Sequence, residues 1–100
     1  MKTFKDLTFE PHSMGEGDVA ALFFDNERGI FVITGADWFD TSDDKPYEVG
    51  FVTKDKKLGC VYFDRDSMSV SLAEDADHSD VQGCCAEDEV TLIMKAIQTL

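Results

Sequence analysis

Apolar residues change their spacing once in this chain, and that change sets what it can fold into. Val90, Ile93, Met94, Ile97 and Leu100 recur at i, i+3, i+4, i+7 and i+10, one stripe of an amphipathic helix. Up to Leu72 the pattern is instead that of strands, in short apolar runs or strict alternation. Leu7 and Phe9 alternate with Asp6, Thr8 and Glu10, and Pro11 ends that strand or confines it to an edge. Val19 to Phe24 and Ile30 to Ile33 are apolar throughout. Such runs cover both faces, so this pair is expected to be central in the sheet. Its link, Asp25-Asn26-Glu27-Arg28-Gly29, reads as a hairpin loop with the glycine in the left-handed position. Tyr47, Val49 and Phe51 alternate, Lys54-Asp55-Lys56-Lys57 turns the chain, and Leu58 to Phe63 is the next strand. Met68, Val70 and Leu72 alternate with serines as a last, one-sided strand.

The expectation is an α+β fold in a single domain over 1–100. A five- to six-stranded antiparallel meander over 3–72 is followed by an acidic loop over 73–85 and a helix over 86–99 packed on the sheet. Glu87, Asp88 and Glu89 fall in the helix's first turn, where the macrodipole favours anions. Neither Cys85 nor Ala86, the residues at the expected start, offers a good capping side chain.

Charge bounds the function. The chain carries 21 acidic and 9 basic residues, a net charge of −12. Asp66, Glu74, Asp75, Asp77, Asp80, Glu87, Asp88 and Glu89 lie between Arg65 and Lys95 without a single intervening Lys or Arg. Such a field repels nucleic acid and anionic lipid. The lysines at 54, 56 and 57 form one turn broken by Asp55, too little for binding that depends on phosphate neutralisation. With 43% hydrophobic residues the chain can bury a core without disulfide or metal, which argues against disorder. No apolar run reaches the length of a membrane span, and Met1-Lys2-Thr3-Phe4-Lys5-Asp6 has no secretory h-region. Cys60, Cys84 and Cys85 are odd in number and two are adjacent, which does not suit a disulfide framework. A reduced, cytoplasmic protein is expected.

Catalytic and metal chemistry is weakly signalled. Asp75-Ala76-Asp77-His78-Ser79-Asp80 has clustered oxygens, but the EF-hand pattern needs Gly at the sixth position and Glu at the twelfth, where Asp80 and Ala86 stand. Cys60, Cys84 and Cys85 with His12 or His78 lack the spacing of a zinc site. Cys85 lies at the helix start, where a thiol pKa can drop. Arg65, between Asp64 and Asp66, reads as neutralised locally. No phosphate loop or nucleophile motif occurs. The expectation is binding rather than catalysis, with no cofactor and no metal.

Binding points to the two long acidic connections, 34–46 and 73–85. Trp38-Phe39 is flanked by Asp37 and Asp40, an aromatic anchor in a polar rim of the kind that makes interface hot spots; Phe39 reads rather as closing the end of the sheet core, and Trp38 suits either role. The candidate partner-binding residues are Trp38, Asp40, Asp43, Asp44, Asp75, Asp77, Asp80, Glu87 and Asp88. Asp75, Asp77, Asp80, Glu87 and Asp88 are expected to form one acidic edge, and Asp40, Asp43 and Asp44 a second. Carboxylates along a rigid surface can imitate a phosphate track and occupy a basic groove.

The opening Lys5-Asp6-Leu7-Thr8-Phe9-Glu10-Pro11-His12 and the closing Glu87-Asp88-Glu89-Val90 helix to Leu100 resemble the ends of small phage- and prophage-encoded proteins. Size and charge are similar to those of anti-CRISPR and anti-restriction proteins, which commonly are compact acidic inhibitors. The resemblance implies an inhibitor that binds a host nuclease or CRISPR effector complex. The expected partner is a basic nucleic-acid-binding protein, the protein itself being a monomer or homodimer, and the charge argues against direct contact to nucleic acid or membrane. An immunity protein neutralising a toxin nuclease would have the same composition. A small virion or assembly component and a small enzyme are the readings from other classes.

Overall fold

Gly29–Thr34 is the middle strand of the sheet, as its two-sided apolarity requires. The computed structural model describes residues 1–11, 17–35, 45–74 and 78–100. In chain order the strands are β1 (Glu10–Pro11), β2 (Asp18–Phe23), β3 (Gly29–Thr34), β4 (Tyr47–Val52), β5 (Cys60–Asp64), β6 (Ser69–Ala73) and β7 (Gln82–Cys85), followed by α1 (Glu87–Gln98). Five strands form one antiparallel sheet in the order β1-β2-β3-β4-β7, and β5-β6 form a separate antiparallel pair. The α+β architecture with one C-terminal helix is therefore as expected.

Register decides which face holds the core. Ala20 lies opposite Val32 and Leu22 opposite Ile30; Val32 in turn faces Val49, and Ile30 faces Phe51. Residues directly opposite share a face, so Ile30, Val32, Val49 and Phe51 present one apolar surface. α1 packs against β3, β4 and β6 and buries Val90, Ile93, Met94 and Ile97 completely. Val61 and Phe63 of β5 join the same core, with Val70 and Leu72 packed against it. Each fully buried side chain of this size stabilises the fold by about 1.5–3 kcal/mol.

The two sheets are sutured along β4. Its first half pairs with β7, whereas Val52 bridges to Leu58 and the Gly59 N–H donates to the Phe51 carbonyl at 2.9 Å. On the far side of β7, the Val61 N–H donates to Asp80 O and the Phe63 N–H to Gln82 Oε1, both at 3.1 Å. Gly59 is required here by close approach: a Cβ would stand 2.6 Å from the Ala73 carbonyl and 2.8 Å from the Phe51 ring. The carbonyl belongs to backbone and cannot swing aside. Gly59→Ala is accordingly expected to destabilise by about 1–3 kcal/mol, read as a lower urea midpoint with unchanged slope.

Four local expectations are corrected. The segment 73–85 is not all loop, since β7 completes the large sheet within it. Leu7 and Phe9 are half-buried against the core but lie outside any ladder. A 3-10 turn at Phe4–Asp6, closed by Asp6 Oδ2 accepting the Thr3 N–H at 2.8 Å, precedes them, and only Glu10–Pro11 pairs, at the sheet edge. In the β2–β3 loop it is Glu27, not Gly29, that takes positive φ (68°); Gly29 is demanded by space, a Cβ there falling 2.7 Å from the Phe23 ring. The helical stripe ends at Ile97, because Thr99 is the C-cap and Leu100 lies beyond it, half exposed. Asn26 reaches across from that loop to donate to the Ile97 carbonyl at 2.8 Å, satisfying one of the helix's terminal acceptors.

Candidate functional site

One row of residues marks an end of the large sheet. Pro11 pairs with Asp18, Asp18 with Thr34, Thr34 with Tyr47 and Tyr47 with Cys85. The 35–46 connection and the helix start both leave the sheet from this row. Glu87 is exposed and near enough to Tyr47 that its charge, after burial, helps push the phenol pKa up. Asp18 stands two strand spacings from Tyr47, about 10 Å. Asp18, Glu87 and Asp88 are thus exposed carboxylates at one end of the molecule, and among the described residues no cation pairs with them. Phe4, Phe9 and Tyr47, with ring centroids 5.0–5.9 Å apart, close the core there.

The third acid of the helix's first turn faces the opposite way. Tyr47 to Val49 on β4 spans two residue steps, whereas Cys85 to Gln82 on β7 spans three, so β7 carries a bulge with Cys84 at φ 54°. A bulge leaves backbone groups unpaired in the ladder. Arg65 meets them, its Nη2 donating to the carbonyls of Cys84 and, at 3.4 Å, Gly83. Its Nε donates at 2.8 Å to Glu89 Oε2, and Lys45 Nζ approaches both Glu89 oxygens at 3.4 Å. Glu89 Oε1 also accepts the Ala86 N–H at 2.9 Å, supplying from within the helix the cap that Ala86 lacks. Burial alone would raise the Glu89 pKa, but the Ala86 N–H, Arg65 and Lys45 outweigh it and hold the carboxyl below its ordinary value. Arg65 is therefore not neutralised by its sequence neighbours; from the surface it joins β5, the bulge and α1.

Arg28, Lys54 and Lys56 also find partners within the chain, the last two at the surface. Arg28 forms a two-point contact with Glu74, at 2.5 and 3.1 Å, and Lys54 pairs with Glu27 at 3.5 Å. Lys56 sits over the Phe23 ring, 4.7 Å from its centroid.

Asp80 is placed apart from Glu87 and Asp88. β7 lies between them, roughly 10 Å of extended chain, so those three do not form the continuous edge expected from their proximity in sequence. Asp80 meets instead a group brought together by a parallel bridge with Cys60. Cys60 Sγ donates to the His78 carbonyl at 3.2 Å, Tyr62 Oη donates to Asp80 Oδ2 at 2.8 Å, and His78 Nε2 lies 3.2 Å from the same oxygen. The Asp80 hydrogen bond, with a smaller contribution from Cys60, pushes the Tyr62 phenol up to about 12. Nothing in the spacing of Cys60, His78 and Asp80 signals this convergence, since the residues are drawn from two segments. Trp38, Phe39, Asp40, Asp43, Asp44, Asp75, Asp77 and His12 lie outside the described residues.

Cys85 is not an activated thiol. It is fully buried, and burial, followed by the Glu89 charge, pushes its pKa up to about 12. At pH 8 it is expected to resist alkylation in the native protein and to react promptly once unfolded, as mass spectrometry of iodoacetamide-treated samples would show. No disulfide joins the three cysteines. Two adjoining clefts of about 440 and 320 Å³ lie between the N-terminus and the end of α1, lined by Met1, Asp25 and Gln98 among others; neither contains a His or Cys to serve a nucleophilic mechanism. Among the described residues no helix is long and apolar enough to cross a membrane.

An α+β domain with exposed acids at one sheet end is the class these features define. The chain matches no protein-family model, no curated protein and no solved structure.

Proposed function

We propose that this protein is an acidic binding module. It docks onto the cationic surface of a nucleic-acid-binding protein, a host nuclease or defence complex, and keeps nucleic acid from that surface. The observation that carries this reading is the direction of the charges. Arg28, Lys45 and Arg65 are engaged by the half-buried Glu74 and the buried Glu89, and Lys54 pairs with Glu27 at the surface. Asp18, Glu87 and Asp88 are left outward on a frame fixed by the sheet end and the helix start. Rigid, unneutralised carboxylates steer a cationic partner into encounter and resemble a phosphate row at the point of contact. Asp40, Asp43, Asp44 and Trp38, between Thr34 and Tyr47 in sequence, are proposed as further partner-binding residues from their composition alone. In the phage setting that the two chain ends resemble, the role is counter-defence in the cytoplasm, where thiols stay reduced.

The test is capture from a bacterial lysate at low salt, with an Asp18→Asn/Glu87→Gln/Asp88→Asn variant alongside. The wild type is expected to retain a nucleic-acid-binding protein and to block its DNA or RNA binding at one-to-one stoichiometry. The variant is expected to lose about tenfold or more in affinity, while its unfolding free energy falls only by about 0.3–1 kcal/mol for each helix-terminal acid removed. Equal affinity of the two proteins, or nucleic-acid binding unimpeded in the complex, would remove the basis of the proposal.

A further inference from the structure

We propose that Cys60, His78 and Asp80 form a binding site for a divalent transition-metal ion of the zinc class. The thiol sulfur, an imidazole nitrogen and a carboxylate oxygen all lie within 4.8 Å of one another. Ligands around a tetrahedral zinc at about 2.0–2.3 Å are separated by roughly 3.3–3.8 Å. His78 Nε2 and Asp80 Oδ2, at 3.2 Å, are already at that separation, and the exposed His78 ring is free to make the small closure that remains.

Cys60 is buried but stands apart from the main core cluster. Val61 and Phe63 point into the core, so Cys60 and Tyr62 stand on the other face of β5. There the buried Cys60 thiol is directed at a carbonyl and a polar cluster. The scaffold is fixed at both ends: Cys60 belongs to a strand, and Asp80 is locked beside it by the bridge and by the Val61 N–H donating to its carbonyl. Tyr62 donates to Asp80 Oδ2, which orients the carboxylate as outer partners of metal ligands do.

The donor set selects the metal. A thiolate with an imidazole suits zinc and its neighbours, whereas calcium and magnesium demand oxygen ligands. Three protein ligands leave a fourth position for water or a small anion. Binding exchanges the thiol proton for the metal, so one proton is released to solvent as the Cys60 sulfur–metal bond forms. The net charge of −12 raises the local cation concentration. This site goes beyond the docking reading and is independent of it, lying away from Asp18, Glu87 and Asp88.

The experiment titrates the reduced full chain with Co²⁺, followed by absorption spectroscopy, then displaces Co²⁺ with Zn²⁺. One equivalent of Co²⁺ is expected to produce a thiolate-to-cobalt charge-transfer band and tetrahedral ligand-field bands, both erased by Zn²⁺. His78→Ala and Asp80→Asn are expected to weaken Co²⁺ binding by about tenfold or more each. Cys60→Ser should abolish the charge-transfer band. Because Cys60 is buried, its variant can fail to fold; the two exposed-ligand variants, checked by circular dichroism, then decide. The Glu87→Gln/Asp88→Asn protein is expected to bind Co²⁺ as the wild type does. Absence of a thiolate band at one equivalent would overturn the proposal. So would binding that survives both His78→Ala and Asp80→Asn, or calcium competing as well as zinc.

Discussion

Replacing Phe51 with alanine is expected to lower the unfolding free energy by about 3–5 kcal/mol. Phe51 is the largest of the completely buried side chains, on the sheet face that receives α1 and opposite Ile30 in register. Its ring lies within van der Waals reach of the Gly59 position, and its carbonyl accepts the Gly59 N–H. Truncation would therefore open a cavity where β4, the approach to β5 and the helix meet, with backbone on one side that cannot relax into it. A domain of this size holds only about 5–15 kcal/mol in all, so the loss is a large share of the total. Phe23→Ala, on the open face with its side chain 55% exposed, is expected to change stability by less than about 1 kcal/mol. Urea unfolding of the two variants side by side checks the assignment of the core face; a similar loss in both would reverse it.

The second large effect is expected at Glu89. Its carboxylate, 6% exposed, serves the Ala86 N–H, Arg65 and Lys45 at once. Glu89→Ala removes the helix's cap and strands Arg65 at the bulge, a loss of about 2–4 kcal/mol. Arg65 and Lys45 are each more than a third exposed and can recover water, which keeps the figure below that for a wholly buried pair. Glu89→Ala and Arg65→Ala in a double-mutant cycle are expected to couple by about 1–3 kcal/mol. Additivity within experimental error would mean that Arg65 acts through the bulge carbonyls alone.

Acid sensitivity follows with a definite sign. Arg28 holds Glu74 below its ordinary carboxylate value, and the cap and cations do the same for Glu89 against its burial. A carboxyl whose folded pKa is depressed binds protons more readily in the unfolded chain. Its contribution is complete above the unfolded value of about 4.3 and is lost as pH falls through the lower folded value. Unfolding midpoints should therefore be flat from neutral pH to about 5 and decline below it, and Glu89→Gln should blunt that decline.

The helix was legible because four of its stripe residues, Val90, Ile93, Met94 and Ile97, are wholly buried and nothing else explains their period. The central position of β3 followed from its two-sided apolarity for the same reason. β7 was hidden: Gln82-Gly83-Cys84-Cys85 has no alternation, a bulge interrupts its pairing, and a side-chain amide rather than a backbone carbonyl completes its link to β5. Arg65 was misread because its neighbours in sequence, Asp64 and Asp66, are not its partner in space. The Cys60, His78 and Asp80 group escaped because a bridge between segments 18 residues or more apart leaves no spacing to detect. Of the residues expected to bind a partner, Glu87 and Asp88 are together at the sheet end and Asp80 is elsewhere.

Exposed carboxylates at that end are proposed to meet a cationic protein, and the decisive measurement is the association rate as a function of salt. With the captured partner immobilised, the wild-type rate is predicted to fall about tenfold or more as ionic strength is raised from low to high. The Asp18→Asn/Glu87→Gln/Asp88→Asn protein should associate more slowly at low salt and converge with the wild type at high salt. Identical rates and salt slopes for the two proteins would contradict it.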